Sequence, residues 1–178
     1  MSKKQKEYDV IRKAIESDMN IVRKANNALY VGVTAVLAWA VTASNSMLCL
    51  LAYCVIIPVY CIVLDYNIAI MRSGAYLYVF YNDQWEKRFH KINLEKVINR
   101  HALSYRNPFI YASIASTSLF FIFFNYTCIR ILDIIQIIIC ITLFLFFNIY
   151  VLLQKDNDSI KQIYIDAWEK IKQEEVKN

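Results

Sequence analysis

The chain has 178 residues, of which 58% are hydrophobic and 20% charged, with a formal net charge of +5. It contains two glycines and two prolines, too few for a loop-rich or all-β protein, so long helices are expected. Its charges are segregated from long uncharged stretches, which argues against a soluble domain and indicates an all-α integral membrane protein of four helices. A transmembrane β-barrel is disfavoured, because the apolar stretches do not alternate with polar residues.

The first predicted element is an amphipathic cytoplasmic helix over residues 1–27. Its apolar residues recur at steps of three and four, which predicts a helical stripe or a short coiled-coil seam: Tyr8, Ile11, Ile15, Val22, Ala25 and Leu29. The four acidic residues of this leader are atypical of a cleavable signal peptide, so we expect the following span to stay in the protein.

The next predicted element is a transmembrane hairpin over 28–64. No charged residue occurs from Ala25 to Leu64, and Ser44-Asn45-Ser46 divides this run. A bilayer core of roughly 30 Å needs about 20 helical residues, which places spans near 28–43 and 47–64 with a tight turn between them. Pro58 lies inside the second span and is expected to kink it.

The segment 65–107 is predicted to be a helical cytoplasmic segment. Residues 66–81 either prolong the second span or lie at the membrane interface with their tyrosines at headgroup level. The run from Tyr76 to Tyr81 also has strand propensity, but a lone strand would leave its backbone groups unpaired, so helix is favoured. Asp83 and Glu86 form a predicted capping box for a following helix.

A second transmembrane hairpin is predicted over 108–153. Between Phe109 and Leu153 the only charged residues are Arg130 and Asp133, which separate spans near 109–129 and 134–153. Asn107 is the predicted N-cap of the third span, with Pro108 at its first helical position.

The last predicted element is an amphipathic cytoplasmic helix over 154–178. Ser159 is its predicted N-cap, and the Gln162 side chain can bond back to the Ser159 backbone N–H, as in a capping box. The apolar stripe expected on this helix comprises Ile160, Ile163, Tyr164, Ala167 and Ile171.

Basic residues predict the orientation of the chain in the membrane. Seven of the 20 lysines and arginines fall in 1–27, seven in 65–107 and five in 155–178, and Arg130 is the exception. Short loops follow the positive-inside rule, so both termini and the central segment are predicted to be cytoplasmic, in the cell (inner or plasma) membrane.

Sequence motifs of catalysis are missing, which favours a non-enzymatic protein without cofactor. There is no Gly-rich phosphate loop, nucleophile elbow or metalloprotease motif. The five cysteines show no C-x-x-C spacing and lie in or beside apolar runs, so neither a disulfide framework nor a metal site is expected. No Asp, Glu, Lys, Arg or His lies inside a span, which argues against active transport. The cytoplasmic segments carry too little net charge to favour nucleic acid as a partner.

Three sets of residues are the candidates for function. Uncharged polar and small residues in the second hairpin can serve helix packing or line a conduit in an oligomer: Ala112, Ser113, Ser116, Thr117, Gln136 and Asn148. Exposed aromatic and apolar residues are candidates for binding a cytosolic protein: Trp85, Phe89, Ile163 and Trp168. Basic residues beside the spans are candidates for contact with membrane lipids: Arg23, Lys24, Arg72, Arg106 and Lys155.

Residues 2–105 resemble the SLATT-type membrane modules of bacterial conflict systems. The resemblance is one of architecture, with Ser44-Asn45-Ser46 as the turn and the stretch from Asp83 to Arg88 as the cytoplasmic segment. It implies a membrane-embedded effector, pore or sensor subunit that works with a cytosolic protein in antiviral defence. The chain differs from that group by its second hairpin, and no binding residues carry over.

Two functional hypotheses follow. In one, the chain is a homo-oligomeric effector or pore, because its amphipathic helices offer stripes that one copy leaves open. In the other, it is a membrane anchor or scaffold that recruits a cytosolic protein through its helical cytoplasmic segments.

Overall fold

The computed structural model describes residues 3–81, 105–125, 131–155 and 157–177. Every regular element within these ranges is an α-helix. The six helices are α1 (Lys3–Ala43), α2 (Ser46–Leu50), α3 (Tyr53–Tyr81), α4 (Asn107–Phe123), α5 (Ile131–Leu153) and α6 (Asn157–Lys177). The all-α prediction is therefore confirmed for the described residues.

Helix α1 joins the predicted leader and the predicted first span in one element of 41 residues. The predicted stripe faces inward, since Ile15 and Leu29 are buried and the other members are half-buried. Further along the helix, Gly32 allows a close approach, because a Cβ there would lie 2.9 Å from Val55 Cγ1.

The turn predicted at Ser44-Asn45-Ser46 is confirmed. Ser44 adopts a left-handed conformation with φ 48°, which ends α1. Asn45 then caps α2, because its side-chain Oδ1 accepts a hydrogen bond of 3.0 Å from Met47 N. Short polar residues of this kind tolerate such turns because they bond their own backbone.

The second helix of the first predicted hairpin is interrupted, although not at its proline. Between α2 and α3, Leu51 N bonds Leu48 O and Cys54 N bonds Leu51 O, a tighter three-residue pattern than the α-helix. Pro58 lies inside α3. The helix then continues to Tyr81, so the helical interpretation of 66–81 is confirmed and this segment continues α3.

Three helix boundaries differ from the predictions. Helix α4 ends at Phe123, with Phe124 in an extended conformation, which is earlier than the predicted end at 129. Its N-cap is Arg106 rather than Asn107, and it lacks a side-chain cap bond. Helix α6 begins at Asn157, so Ser159 lies within the helix and the predicted cap there is wrong. Gln162 instead bonds Asp166 within α6, at 2.7 Å.

Within the part of the chain that the structure describes, three helical stretches are long and apolar enough to cross a membrane, by length and composition: Lys4–Ala43, Ser46–Tyr81 and Ile131–Leu153. Helix α4 is apolar but has 17 residues. At about 1.5 Å per residue it measures about 26 Å, slightly less than a typical hydrocarbon core.

The chain divides into two compact units. The first, called the polar unit, consists of the described residues within 1–23, 63–102 and 155–178. The apolar unit takes those within 24–62 and 103–154, and in it α4 packs against α2 and α5.

Candidate functional site

The candidate site is a set of polar side chains that bond one another inside the apolar unit. Tyr53 is 2% exposed. Its hydroxyl donates to the Ser113 carbonyl at 3.3 Å and shares a hydrogen bond of 2.9 Å with the Thr117 hydroxyl. This joins α3 to α4 through two bonds.

Asn148 extends these bonds to α5. Its Nδ2 donates to Ser113 Oγ at 3.0 Å and to the Phe144 carbonyl at 2.8 Å. The Ser113 hydroxyl in turn donates to the Ile110 carbonyl at 2.9 Å. Asn148, a candidate for helix packing or for lining a conduit, here joins α5 to α4.

Ser116 provides the contact with α2. It is fully buried, and its Oγ donates to the Cys49 carbonyl at 2.5 Å. That carbonyl lies at the helix interruption, where it accepts a long bond of 3.3 Å from Ala52 N. The serine therefore strengthens the bonding of a backbone group that the interruption leaves weakly satisfied.

Aromatic side chains pack beside these polar contacts. Tyr60 is 1% exposed, and its ring meets those of Phe109, Phe147 and Tyr150 at centroid distances of 5.1, 5.6 and 6.1 Å. All three pairs are edge-to-face, an arrangement that aromatic rings prefer over direct stacking. The polar groups thus lie in a closely packed interior.

Arg106 closes the end of the hairpin formed by α4 and α5. Its Nη1 donates to the Gln154 carbonyl at 2.9 Å and to the Val151 carbonyl at 3.5 Å. The last four carbonyls of a helix lack partners within the helix, and a cation there also complements the helix dipole. Arg106, a candidate for contact with membrane lipids, thus also caps a helix end.

The remaining basic candidates and packing candidates occupy simpler positions. Ala112 and Gln136 are half-buried and take no part in the hydrogen bonds described above. Arg23, Lys24, Arg72 and Lys155 are exposed.

The candidates for partner binding separate into three groups. Trp85 and Phe89 lie outside the described residues. Ile163 is 49% exposed. Trp168 instead packs within the polar unit against the buried side chains of Ala75 and Val79.

An aromatic cluster forms the core of the polar unit around Trp168. Its ring lies 5.2 Å from that of Tyr76 and 6.0 Å from that of Phe80, edge-on in both cases. Lys172 Nζ lies 5.9 Å from the centroid of the Phe80 ring and donates to the Val79 carbonyl at 2.6 Å, near the end of α3. A cation therefore caps a helix in this unit too.

Sequence reasoning missed Tyr53, Cys49 and the capping role of Arg106. A tyrosine in an uncharged span is a usable signal, because its buried hydroxyl needs a partner. The other two contacts depend on backbone carbonyls. Because every residue carries one, the residue type does not indicate which carbonyl accepts a bond.

Among the described residues, no group of three or more metal-binding side chains comes together. No family model, curated protein or solved structure matches the chain.

Proposed function

We propose that this chain is a non-enzymatic multi-pass membrane protein that anchors a helical cytoplasmic unit to the cell (inner or plasma) membrane and presents it to a protein partner. The observation that carries this proposal is the hydrogen bonding of Tyr53, Ser113, Thr117 and Asn148 to one another. These groups join helices, and an anchor needs its helices joined.

The bonding pattern favours an anchor over a conduit on energetic grounds. An unpaired hydroxyl or amide costs several kcal/mol in hydrocarbon, and a conduit would offer such groups to water or ions. Here the hydroxyls of Ser113 and Ser116 are buried and bonded to backbone carbonyls. Lining a channel would require those bonds to be exchanged for water.

The proposed topology has four crossings with both termini in the cytoplasm. It is supported by the positions of the basic residues and by the three long apolar helices, with α4 as the fourth and shortest crossing. A reporter active only in the cytoplasm, fused after Asn178, is expected to be active. The same reporter fused within the turn at Asn45 should be silent, and the opposite pattern would refute the topology.

The anchor proposal is tested by membrane permeability. We expect induced expression of the inserted protein to leave the membrane potential, followed with a potential-sensitive dye, unchanged. A matched pair of variants separates the readings: Ser116→Leu alters the buried face of α4, and Ser118→Leu alters an exposed residue of the same helix. A loss of potential on expression that either substitution abolishes would contradict the anchor, because Ser116→Leu alters the interior of one copy and Ser118→Leu a surface that can face a second copy.

The second candidate function is the effector or pore implied by the SLATT-type resemblance. One observation favours it, namely that Ser118 on α4 and Thr142 on α5 are polar yet exposed, in helices that the proposed topology places in the membrane. Such hydroxyls could face a conduit formed between copies. In that case wild-type protein should produce a conductance in liposomes, and Ser118→Leu should abolish it.

A further inference from the structure

Tyr60 buries a hydroxyl that, unlike that of Tyr53, does not bond a neighbouring helix. Its side chain is 1% exposed, and its oxygen has no hydrogen-bond partner within the part of the chain that the structure describes. Tyr53 of the same helix is as deeply buried, but its hydroxyl bonds Ser113 and Thr117. A hydroxyl buried without a partner destabilises the folded protein, so such groups require an explanation. A ligand that accepts a hydrogen bond from Tyr60 would supply one.

The groups around the Tyr60 hydroxyl are hydrogen-bond donors and one cation. The Arg106 guanidinium and the hydroxyls of Tyr105 and Tyr150 lie close enough to interact with it electrostatically. Arg106 also bonds the carbonyl of Gln154 at the end of α5, so this cluster lies where α4 begins and α5 ends. A guanidinium carries five N–H donors and a permanent positive charge.

The charges of the apolar unit are distributed unevenly. Its basic residues are Lys24, Arg106 and Arg130, and its one acidic residue is Asp133. Asp133 lies in the first turn of α5, roughly 30 Å along that helix from the end that Arg106 bonds. Within this unit, therefore, the end at Arg106 carries positive charge, which favours an anion as the ligand of the Tyr60 hydroxyl.

Exposed apolar side chains beside Arg106 indicate a phospholipid as the source of the anion. Tyr111, one turn further along α4, is 66% exposed, and Leu152 and Leu153 at the end of α5 are 65% and 77% exposed. A phospholipid offers its phosphate to the donors and its acyl chains to these side chains. Basic pockets between membrane helices bind lipid headgroups in this way, and tyrosines are common at headgroup level.

We propose that Tyr60, Tyr105 and Arg106 bind the phosphate of an anionic phospholipid at the end of the hairpin formed by α4 and α5. This inference rests on the proposed membrane insertion, in which the charge-free run ends at Leu64. Tyr60 lies four residues before that point, about 6 Å along a helix, which places its hydroxyl within reach of the headgroups. The phosphate approaches from the side of Tyr105 and Arg106, since both are half-buried whereas Tyr60 is buried.

Thermal unfolding of the full-length protein in mixed micelles, followed by circular dichroism, tests this site. Phosphatidylglycerol is titrated into a neutral detergent, and the mole fraction that gives half the maximal rise in Tm is measured. Phosphatidylcholine, which carries the same phosphate without net charge, is titrated in parallel and should raise the Tm less. Tyr60→Phe and Arg106→Gln should each raise the half-maximal mole fraction of phosphatidylglycerol about tenfold, because each removes a charge-assisted hydrogen bond.

Matched variants separate the site from other effects. Tyr53→Phe removes the hydroxyl of the other buried tyrosine of α3, which already has partners in the protein. Lys24→Gln removes an exposed positive charge of the same unit. Both should leave the half-maximal mole fraction within about twofold of wild type. In neutral detergent alone, Tyr60→Phe should be at least as stable as wild type, because it removes a buried hydroxyl without a partner.

Three results would overturn the lipid site. Equal responses to phosphatidylglycerol and phosphatidylcholine would exclude recognition of an anionic lipid, and unchanged responses of both Tyr60→Phe and Arg106→Gln would place the lipid elsewhere. Glycerol phosphate, a soluble phosphate ester, should leave the Tm unchanged, and a rise would show that the site takes a soluble anion instead. Carbonate washing of membranes tests the insertion separately, since release of the wild-type protein would refute the membrane proposal whatever the lipid response.

Discussion

The two units of this chain satisfy their polar groups by different means. In the apolar unit, uncharged hydroxyls and one amide bond each other and nearby carbonyls, as Ser113 does with Asn148. In the polar unit, charged side chains surround aromatic rings, as Lys172 does at Phe80 and Arg12 at Tyr8. The two units therefore rely on different interactions to fix their packing.

Charge is too costly in hydrocarbon to be used for packing, so under the proposed membrane insertion the apolar unit builds specificity from neutral hydrogen bonds. Water screens charges strongly and makes surface pairs worth little, so the polar unit depends on buried aromatic area. Both units nevertheless place a cation on the last carbonyls of a helix, Arg106 at α5 and Lys172 at α3. Helix ends impose the same requirement in either setting.

The comparison predicts that the polar unit is most sensitive to the loss of an aromatic ring. Trp168→Ala should lower the free energy of unfolding by about 3 kcal/mol, because it removes a ring that contacts both Tyr76 and Phe80. Thermal unfolding of the detergent-solubilised protein, followed by circular dichroism, measures this. Trp39→Ala is the control, since Trp39 is 57% exposed, and an equal loss there would contradict a special role for Trp168.

The apolar unit should be most sensitive to bulk at its buried serine. Ser116→Leu removes the bond to Cys49 and inserts carbon atoms into a fully buried site, so we expect a loss of about 2 kcal/mol. Titration with a denaturing detergent, followed by circular dichroism, measures it. Ser118→Leu is the matched control on the exposed face of α4 and should be neutral. Equal stability of the two variants would mean that α2 and α4 do not pack as described.

The helix cap at Arg106 should have an intermediate effect. Arg106→Gln keeps a hydrogen-bond donor but removes the charge at the end of α5, for which about 1 kcal/mol is expected. The same denaturant titration applies, and Arg72→Gln, at an exposed arginine, is the control. If both changes were equally mild, the contacts with Val151 and Gln154 would contribute nothing measurable.

The smallest expected effect is the loss of one neutral bond within the apolar unit. Tyr53→Phe removes only the hydroxyl that bonds Ser113 and Thr117, and interhelical bonds of this kind average about 0.6 kcal/mol. Thr117→Val removes the other partner, so the double variant should cost less than the sum of the two single changes. Strict additivity would show that the two hydroxyls do not interact.

Much of the fold was predictable because its signals are local. The charge-free runs predict the apolar helices, and Ser44-Asn45-Ser46 predicts the turn because those side chains bond their own backbone. The face of α6 was only partly predicted. The expected stripe included Ile163 and Ile171, which are exposed, and left out Ile165, which is buried.

That error has a physical reason. Helix α6 has apolar residues on two faces, and only the aromatic rings at the end of α3 decide which face is covered. Hydropathy also could not predict that α4 ends at Phe123, because an uncharged residue can belong equally to a helix or to an extended connection. Of the candidate site, Ser113, Ser116, Thr117 and Asn148 could be named in advance. The pairing of Ser113 with Asn148, and the partners Tyr53 and Cys49, 60 and 67 positions away, could not.

The tight turn at Ser44 and Asn45 bears on how the chain enters a membrane during synthesis. Helix α1 is the less apolar member of its hairpin, because its first half carries charged residues, whereas the charge-free run continues through α2 to Leu64. The turn holds the ends of the two helices close together, since Asn45 N bonds the Ala40 carbonyl and the Asn45 side chain caps α2. In the proposed membrane insertion, the less apolar helix α1 would therefore enter the bilayer as a pair with the more apolar helix that follows, rather than by itself.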